Sequence, residues 1–173
     1  MTDVMPIDLP EPIIDTEAFV APTAVVHGDV RIGRLAVIMF GVVIRAEFDS
    51  IVIGAETNIQ DNSVVHCDEG VPTSIGDRVT LGHAAVVHGA TIGDRCLVGI
   101  GARALNGSVL GEGSWLAAGS VLPEGREIPP YTLAMGTPAK PIRELRPEEI
   151  ERQRSGVDDY LRLGATYRRL AGL

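Results

Sequence analysis

The stretch Ile75-Gly76-Asp77-Arg78-Val79-Thr80-Leu81-Gly82-His83-Ala84-Ala85-Val86-Val87 places an apolar anchor at every sixth residue, namely Ile75, Leu81 and Val87. The period extends outward in both directions. Upstream it runs through Val20, Val26, Ile32, Ile38 and Ile44, and after an insertion through Ile53, Ile59 and Val65. Downstream it slips by one residue to Ile92 and continues through Val98, Ala104, Leu110, Leu116 and Leu122. Glycine often follows the anchor, and Ala, Ser or Thr is common four positions after it. A period of six suits neither an amphipathic helix nor a long alternating strand, and a sandwich would produce it only by chance. It is the signature of an all-β fold, a parallel β-helix of hexapeptide repeats. Each hexapeptide supplies a short strand and a corner, and three sides close a triangular coil of roughly 18 residues. Coils stack at the ~4.8 Å spacing of paired strands.

The chain of 173 residues is sized for a single domain. Its sequence reads as a β-helix over 18–127, an irregular cap over 128–146 and a C-terminal helix over 147–171. The acidic, Pro-rich segment Met1 to Glu17 is expected to lie extended along the prism. Pro147 with Glu148 and Glu149 opens the helix, Ile150, Val157 and Leu161 share one face, and Gly156 and Gly164 are points of potential breakage. A net charge of -8 argues against nucleic acid or an anionic membrane as partner. No apolar run has the length of a membrane span and the start lacks a basic region, so a cytoplasmic location is expected. Two cysteines, Cys67 and Cys96, are too few for a disulfide scaffold and read as buried thiols.

Coil geometry also says which side chains meet. Ile44, Val65 and Val87 stack one coil apart, so the residues that follow them, Arg45, His66 and His88, form one corner column. Two imidazoles at strand-stacking distance can share a metal. Ile59 and Leu81 stack likewise, and two residues beyond them come Asp61 and His83. His83 therefore lies on another side of the prism, and joins the pair only if a neighbouring chain supplies it. Three neutral nitrogen ligands with an open fourth position suit a catalytic zinc, which lowers the pKa of bound water towards ~7. Asn58, Gln60 and Asp61 add amide and carboxylate groups near that corner. His27, a coil before Arg45, reads as a surface residue. Arg45 and Glu47 read as an exposed ion pair or an organiser of a subunit contact.

The runs Arg45-Ala46-Glu47, Asn58-Ile59-Gln60-Asp61, His66 and His83-Ala84-Ala85-Val86-Val87-His88-Gly89 resemble the gamma-class carbonic anhydrases. So does the ending Met135-Gly136-Thr137-Pro138-Ala139-Lys140 with Ile142-Arg143. The resemblance implies a left-handed β-helix in a homotrimer with metal sites at the subunit interfaces, where His66 and His88 of one chain meet His83 of its neighbour. It implies reversible hydration of carbon dioxide to bicarbonate by metal-bound hydroxide, with Zn2+, or Fe2+ or Co2+, as the metal. Gln60 is then similar to the residue beside the metal-bound water, Arg45 with Asp61 to the pair that stabilises interface and site, and Asn58 to part of the same polar shell. The insertion Asp68-Glu69-Gly70-Val71-Pro72-Thr73-Ser74 is short, and offers Glu69 or Asp68 as proton shuttle. Glu47 stands where the family usually has aspartate. Two other readings share the prism: a hexapeptide acyltransferase using one histidine as general base, and a non-catalytic trimer whose metal holds an interface.

Overall fold

The computed structural model describes residues 8–172, and the fold is a parallel β-helix closed by one C-terminal helix. On one face seven parallel strands stack from Phe19–Val20 to Thr132–Gly136. The registers match the hexapeptide columns. Val20, Ile38, Ile59, Leu81, Val98, Leu116 and Ala134 form one inward ladder. Val26, Ile44, Val65, Val87, Ala104 and Leu122 form the second. Ile32, Ile53, Ile75, Ile92, Leu110 and Ile128 form the third. Nearly all of these are fully buried, and the residue four positions after the anchor fills the corner: Ala36, Thr57, Ala85, Ala102, Ser108 and Ser114 are all inaccessible. A narrow prism has space for one branched residue per strand and a small one per corner, which accounts for the low aromatic content of 4%.

The corners turn through the left-handed region. At one edge Leu35, Glu56, Arg78, Arg95, Gly113 and Tyr131 all have φ between 53° and 67°. From Glu56 onward, each donates its backbone N–H to a carbonyl of the coil before. The strands Val25–Ile32 and Val43–Ile53 instead round a corner continuously. There Gly28 has φ 87°, and a Cβ would stand 2.0 Å from the Ala46 carbonyl oxygen, so only glycine fits.

Strand Ile13–Ile14 pairs in parallel with Arg31–Ile32 and covers the first coil. The expectation of an extended N-terminal segment falls partly on residues 1–7, which lie outside the described residues. The segment expected to be an irregular cap is ordered: Ile128 still belongs to a ladder, and Thr132–Gly136 and Ala139–Glu144 form an antiparallel hairpin. The prolines mislead here because Pro138 sits in the hairpin turn and Pro141 beside a register shift, where a missing N–H is tolerated.

The helix Pro147–Ala171 is unbroken by either glycine. Its buried stripe is Glu149, Gln153, Val157 and Gly164; of the expected apolar face Val157 is fully buried and Leu161 half-buried, but Ile150 is exposed. Glu149 is inside because its carboxylate accepts from both Arg143 Nη atoms at 2.8 Å and from the Arg146 backbone N–H at 2.8 Å. Those bonds hold its carboxyl far below the ordinary carboxylate range. Gln153 Nε2 donates to the carbonyls of Arg78 and Cys96 at 2.9 and 3.2 Å. Near the far end Tyr167 stacks on Phe19 at 5.4 Å.

Candidate metal centre

The predicted corner column forms: Arg45 pairs with His66 and His66 with His88 in adjacent coils. His66 Nδ1 lies 2.9 Å from His88 Nε2. The partners of the other two ring nitrogens decide what that short approach means. His66 Nε2 is 3.1 Å from Glu47 Oε2, and a carboxylate only accepts, so this nitrogen carries the proton. His88 Nδ1 is 2.7 Å from Asn106 Oδ1. The Asn106 amide is oriented by its Nδ2, which donates to Asp68 Oδ2 at 2.7 Å, so Oδ1 accepts from His88 Nδ1–H. Both outer nitrogens are thus donors. The two inner nitrogens then approach each other at 2.9 Å, a contact that a shared proton or a metal ion would bridge.

The donor set fits a metal. Ligand atoms of His66, Asp68 and His88 all lie within 4.8 Å of one another, and imidazole with carboxylate is the chemistry of zinc, iron and cobalt sites. The supporting groups are in place as well, since outer hydrogen bonds fix the tautomer and plane of ligating histidines. Partial burial pushes the Glu47 carboxyl up, but its own backbone N–H, Arg45 and His66 offset this and leave it below the ordinary value. Phe48 stands edge-on to His66 with ring centroids 6.4 Å apart and shields one side.

His83 is on a separate corner, as the column count expects. Its Nδ1 is 2.9 Å from Asp61 Oδ2, and its side chain is about half exposed. Asn58 and Gln60 are on that same side, buried in a chain of bonds: Gln60 Nε2 donates to Asn58 Oδ1 at 3.3 Å, and Asn58 Nδ2 donates to Thr80 Oγ1 at 2.9 Å. Within one chain, therefore, two half-sites exist. One holds His66, His88, Glu47, Asp68 and Asn106, and the other holds His83, Asp61, Gln60 and Asn58. Arg45 is in an ion pair with Glu47. Glu69 is exposed and makes no hydrogen bond or ion pair among the described residues, whereas its neighbour Asp68 is engaged by Asn106. His27 continues the Arg45 column one coil earlier. Cys67 and Cys96 are fully buried, and burial pushes both thiols up, that of Cys96 to about 12.

Two groups escape the sequence reading. Asn106 lies two residues past the anchor Ala104, whereas the His66 and His88 column continues to Leu105, so coil counting does not select it. Glu47 is readable as a partner of Arg45, but its second oxygen reaches His66 only because the longer strand carries it across the corner.

Comparison with known proteins agrees with this picture. The family model "Hexapeptide repeat of succinyl-transferase" matches residues 72–99 and 90–123. The chain is 45% identical over 145 residues to gamma carbonic anhydrase 1, mitochondrial, of Arabidopsis thaliana, covering 80% of this chain and 53% of that one. The chain thus spans a little over half the length of the plant relatives it matches. It is 42% identical over 154 residues to a protein named probable carbonic anhydrase of Methanocaldococcus jannaschii, covering 89% of this chain and 97% of that one. Among solved structures, a Bacillus cereus protein provisionally described as an acetyltransferase superposes with a TM-score of 0.91 at 37% identity, over 92% of this chain and 93% of that one. With the prism, the stacked histidines and relatives matched along nearly their whole length, the chain belongs to the gamma carbonic anhydrase family.

Proposed function

We propose that the protein is a metal-dependent carbonic anhydrase that interconverts carbon dioxide and bicarbonate as a homotrimer. The observation that carries this reading is the approach of His66 Nδ1 to His88 Nε2 at 2.9 Å, with the outer ring nitrogens engaged by Glu47 and Asn106. His66 and His88 would hold the metal with His83 of the partner subunit. Zinc bound there supplies Lewis-acid activation of water at neutral pH.

The chain's own residues set the conditions for that chemistry. Glu47 and Asn106 engage the outer nitrogens of His66 and His88, so His66 Nδ1 and His88 Nε2 are the ring nitrogens that would serve as ligands. Asp61 Oδ2 lies 2.9 Å from His83 Nδ1, so Nε2 is the ring nitrogen that would serve as ligand. Asn58, anchored by Thr80, orients the Gln60 amide, which positions a small oxyanion. Asp68, 3.9 Å from His88 Nε2, and exposed Glu69 are the carboxylates placed to exchange a proton with solvent.

The acyltransferase reading draws support from the transferase-named family model and the Bacillus cereus structure. A metal-holding trimer without turnover is the third. Metal content per chain, followed on the same sample by stopped-flow carbon dioxide hydration, separates them. About one metal per chain with fast turnover supports the proposal, and metal without turnover favours the third reading. No metal after anaerobic preparation overturns the metal site altogether. His83→Ala should lose metal and weaken the trimer, and retention of stoichiometric zinc would refute an interface site.

A further inference from the structure

Between the solenoid face and the C-terminal helix runs a groove of about 510 Å³, far larger than a triatomic substrate requires. Its walls are apolar, with Leu97, Ile100, Trp115 and Leu133, and one end reaches Gln60 and Thr80. Ile100 follows His83 in the corner column, so the groove opens beside the second half-site.

One charged group lining it, on the exposed Arg152, lacks a protein partner among the described residues. The Arg152 guanidinium makes no hydrogen bond or ion pair among the described residues and rests 4.8 Å from the Trp115 ring centroid. Glu149, which lines the same groove, is no partner for it because Arg143 and Arg146 occupy its carboxylate. Trp115 is 6% exposed, with its indole Nε1 inaccessible, so the part of the ring left uncovered forms the groove wall. An accessible cation beside an apolar trough is complementary to an anionic head on an apolar body.

We infer that this groove binds a monocarboxylate with an apolar chain of several carbons, its carboxylate paired with Arg152 and its chain laid against Leu97, Trp115 and Leu133. A single guanidinium suits one carboxylate, and a carboxylate accepts its two N–H donors side by side. The inference stands apart from carbon dioxide hydration, because its test reads Trp115 and not turnover.

Trp115 is the only tryptophan of the chain, so its fluorescence reports the groove directly. Intact protein titrated with hexanoate should show a saturable change, with hexan-1-ol and acetate each weaker by roughly tenfold or more, as expected for loss of a charged partner or of the apolar chain. Arg152→Gln should weaken hexanoate by a similar factor. Ala117→Met, which fills the groove while keeping Arg152, should also weaken it. Equal affinity for hexan-1-ol, undiminished binding by Arg152→Gln or Ala117→Met, or no saturable response up to ~10 mM, the regime of weak ligands, would each overturn the assignment.

Discussion

Gly156 and Gly164 lie in one helix and invite the same substitution, yet the packing predicts opposite results. Replacing an interior helical glycine by alanine gains about 1 kcal/mol, because the unfolded chain loses freedom and the helix loses nothing. At Gly156 a Cβ meets no atom within 4 Å, so Gly156→Ala should realise that gain. At Gly164 a Cβ would stand 2.6 Å from Val37 Cγ2 and 3.5 Å from Cγ1. Val37 is 2% exposed and β-branched, so it cannot swing aside. Forcing a methyl into such a contact costs about 1–3 kcal/mol, which leaves Gly164→Ala neutral to about 2 kcal/mol destabilised. At about 2–4 °C per kcal/mol for a chain of this size, the two variants should be separated by ~2–12 °C in thermal unfolding followed by circular dichroism. Repeating Gly164→Ala in a Val37→Ala background should restore the gain of about 1 kcal/mol. If Gly164→Ala alone stabilises as much as Gly156→Ala, the helix is not seated on Val37 and the argument fails.

Asn106→Ala should lower metal affinity by about 10–100-fold by releasing His88 Nδ1, measured by competition with a chelating dye; an unchanged affinity would deny Asn106 its orienting role. Leu81→Ala, at a fully buried anchor between Ile59 and Val98, should cost about 2–5 kcal/mol in denaturant unfolding. Because the Glu149 carboxyl is depressed in the folded chain, its contribution is complete above about pH 4.5, the ordinary value, and is lost as pH falls below it. Glu149→Gln should therefore be less stable at pH 7 and show a flatter acid limb between pH ~5 and ~2. Native protein should resist labelling of Cys67 and Cys96 by a thiol reagent and react at both once unfolded; rapid labelling of the folded chain would contradict the burial of either thiol.

The solenoid was legible because each coil imposes the same demand on the same position. Branched anchors and small corner residues recur at fixed distances, and stacking converts those distances into contacts. The His66 and His88 pair follows from the same counting, as does the separation of His83. What counting cannot give is the reach of a side chain across a corner, which is why Asn106 and the second role of Glu47 emerge only in three dimensions. The hairpin over 132–144 was obscured by Pro138 and Pro141, which punctuate a turn and an edge where their missing N–H groups do no harm. The helix misled for a different reason. A buried carboxylate with arginine partners outcompetes Ile150 for the inner face, and hydropathy carries no information about who will neutralise a charge.

A parallel solenoid is in principle an open-ended template: its last coil offers a row of unpaired backbone groups on which another coil, or another molecule, can crystallise. Here Ala139–Glu144 turns back antiparallel against Thr132–Gly136, and so changes the polarity of that face before the row can be copied. The hairpin thereby acts as a stop codon written in backbone polarity. It closes one of the three faces of the last coil, where an uncovered row of backbone groups invites pairing with another chain.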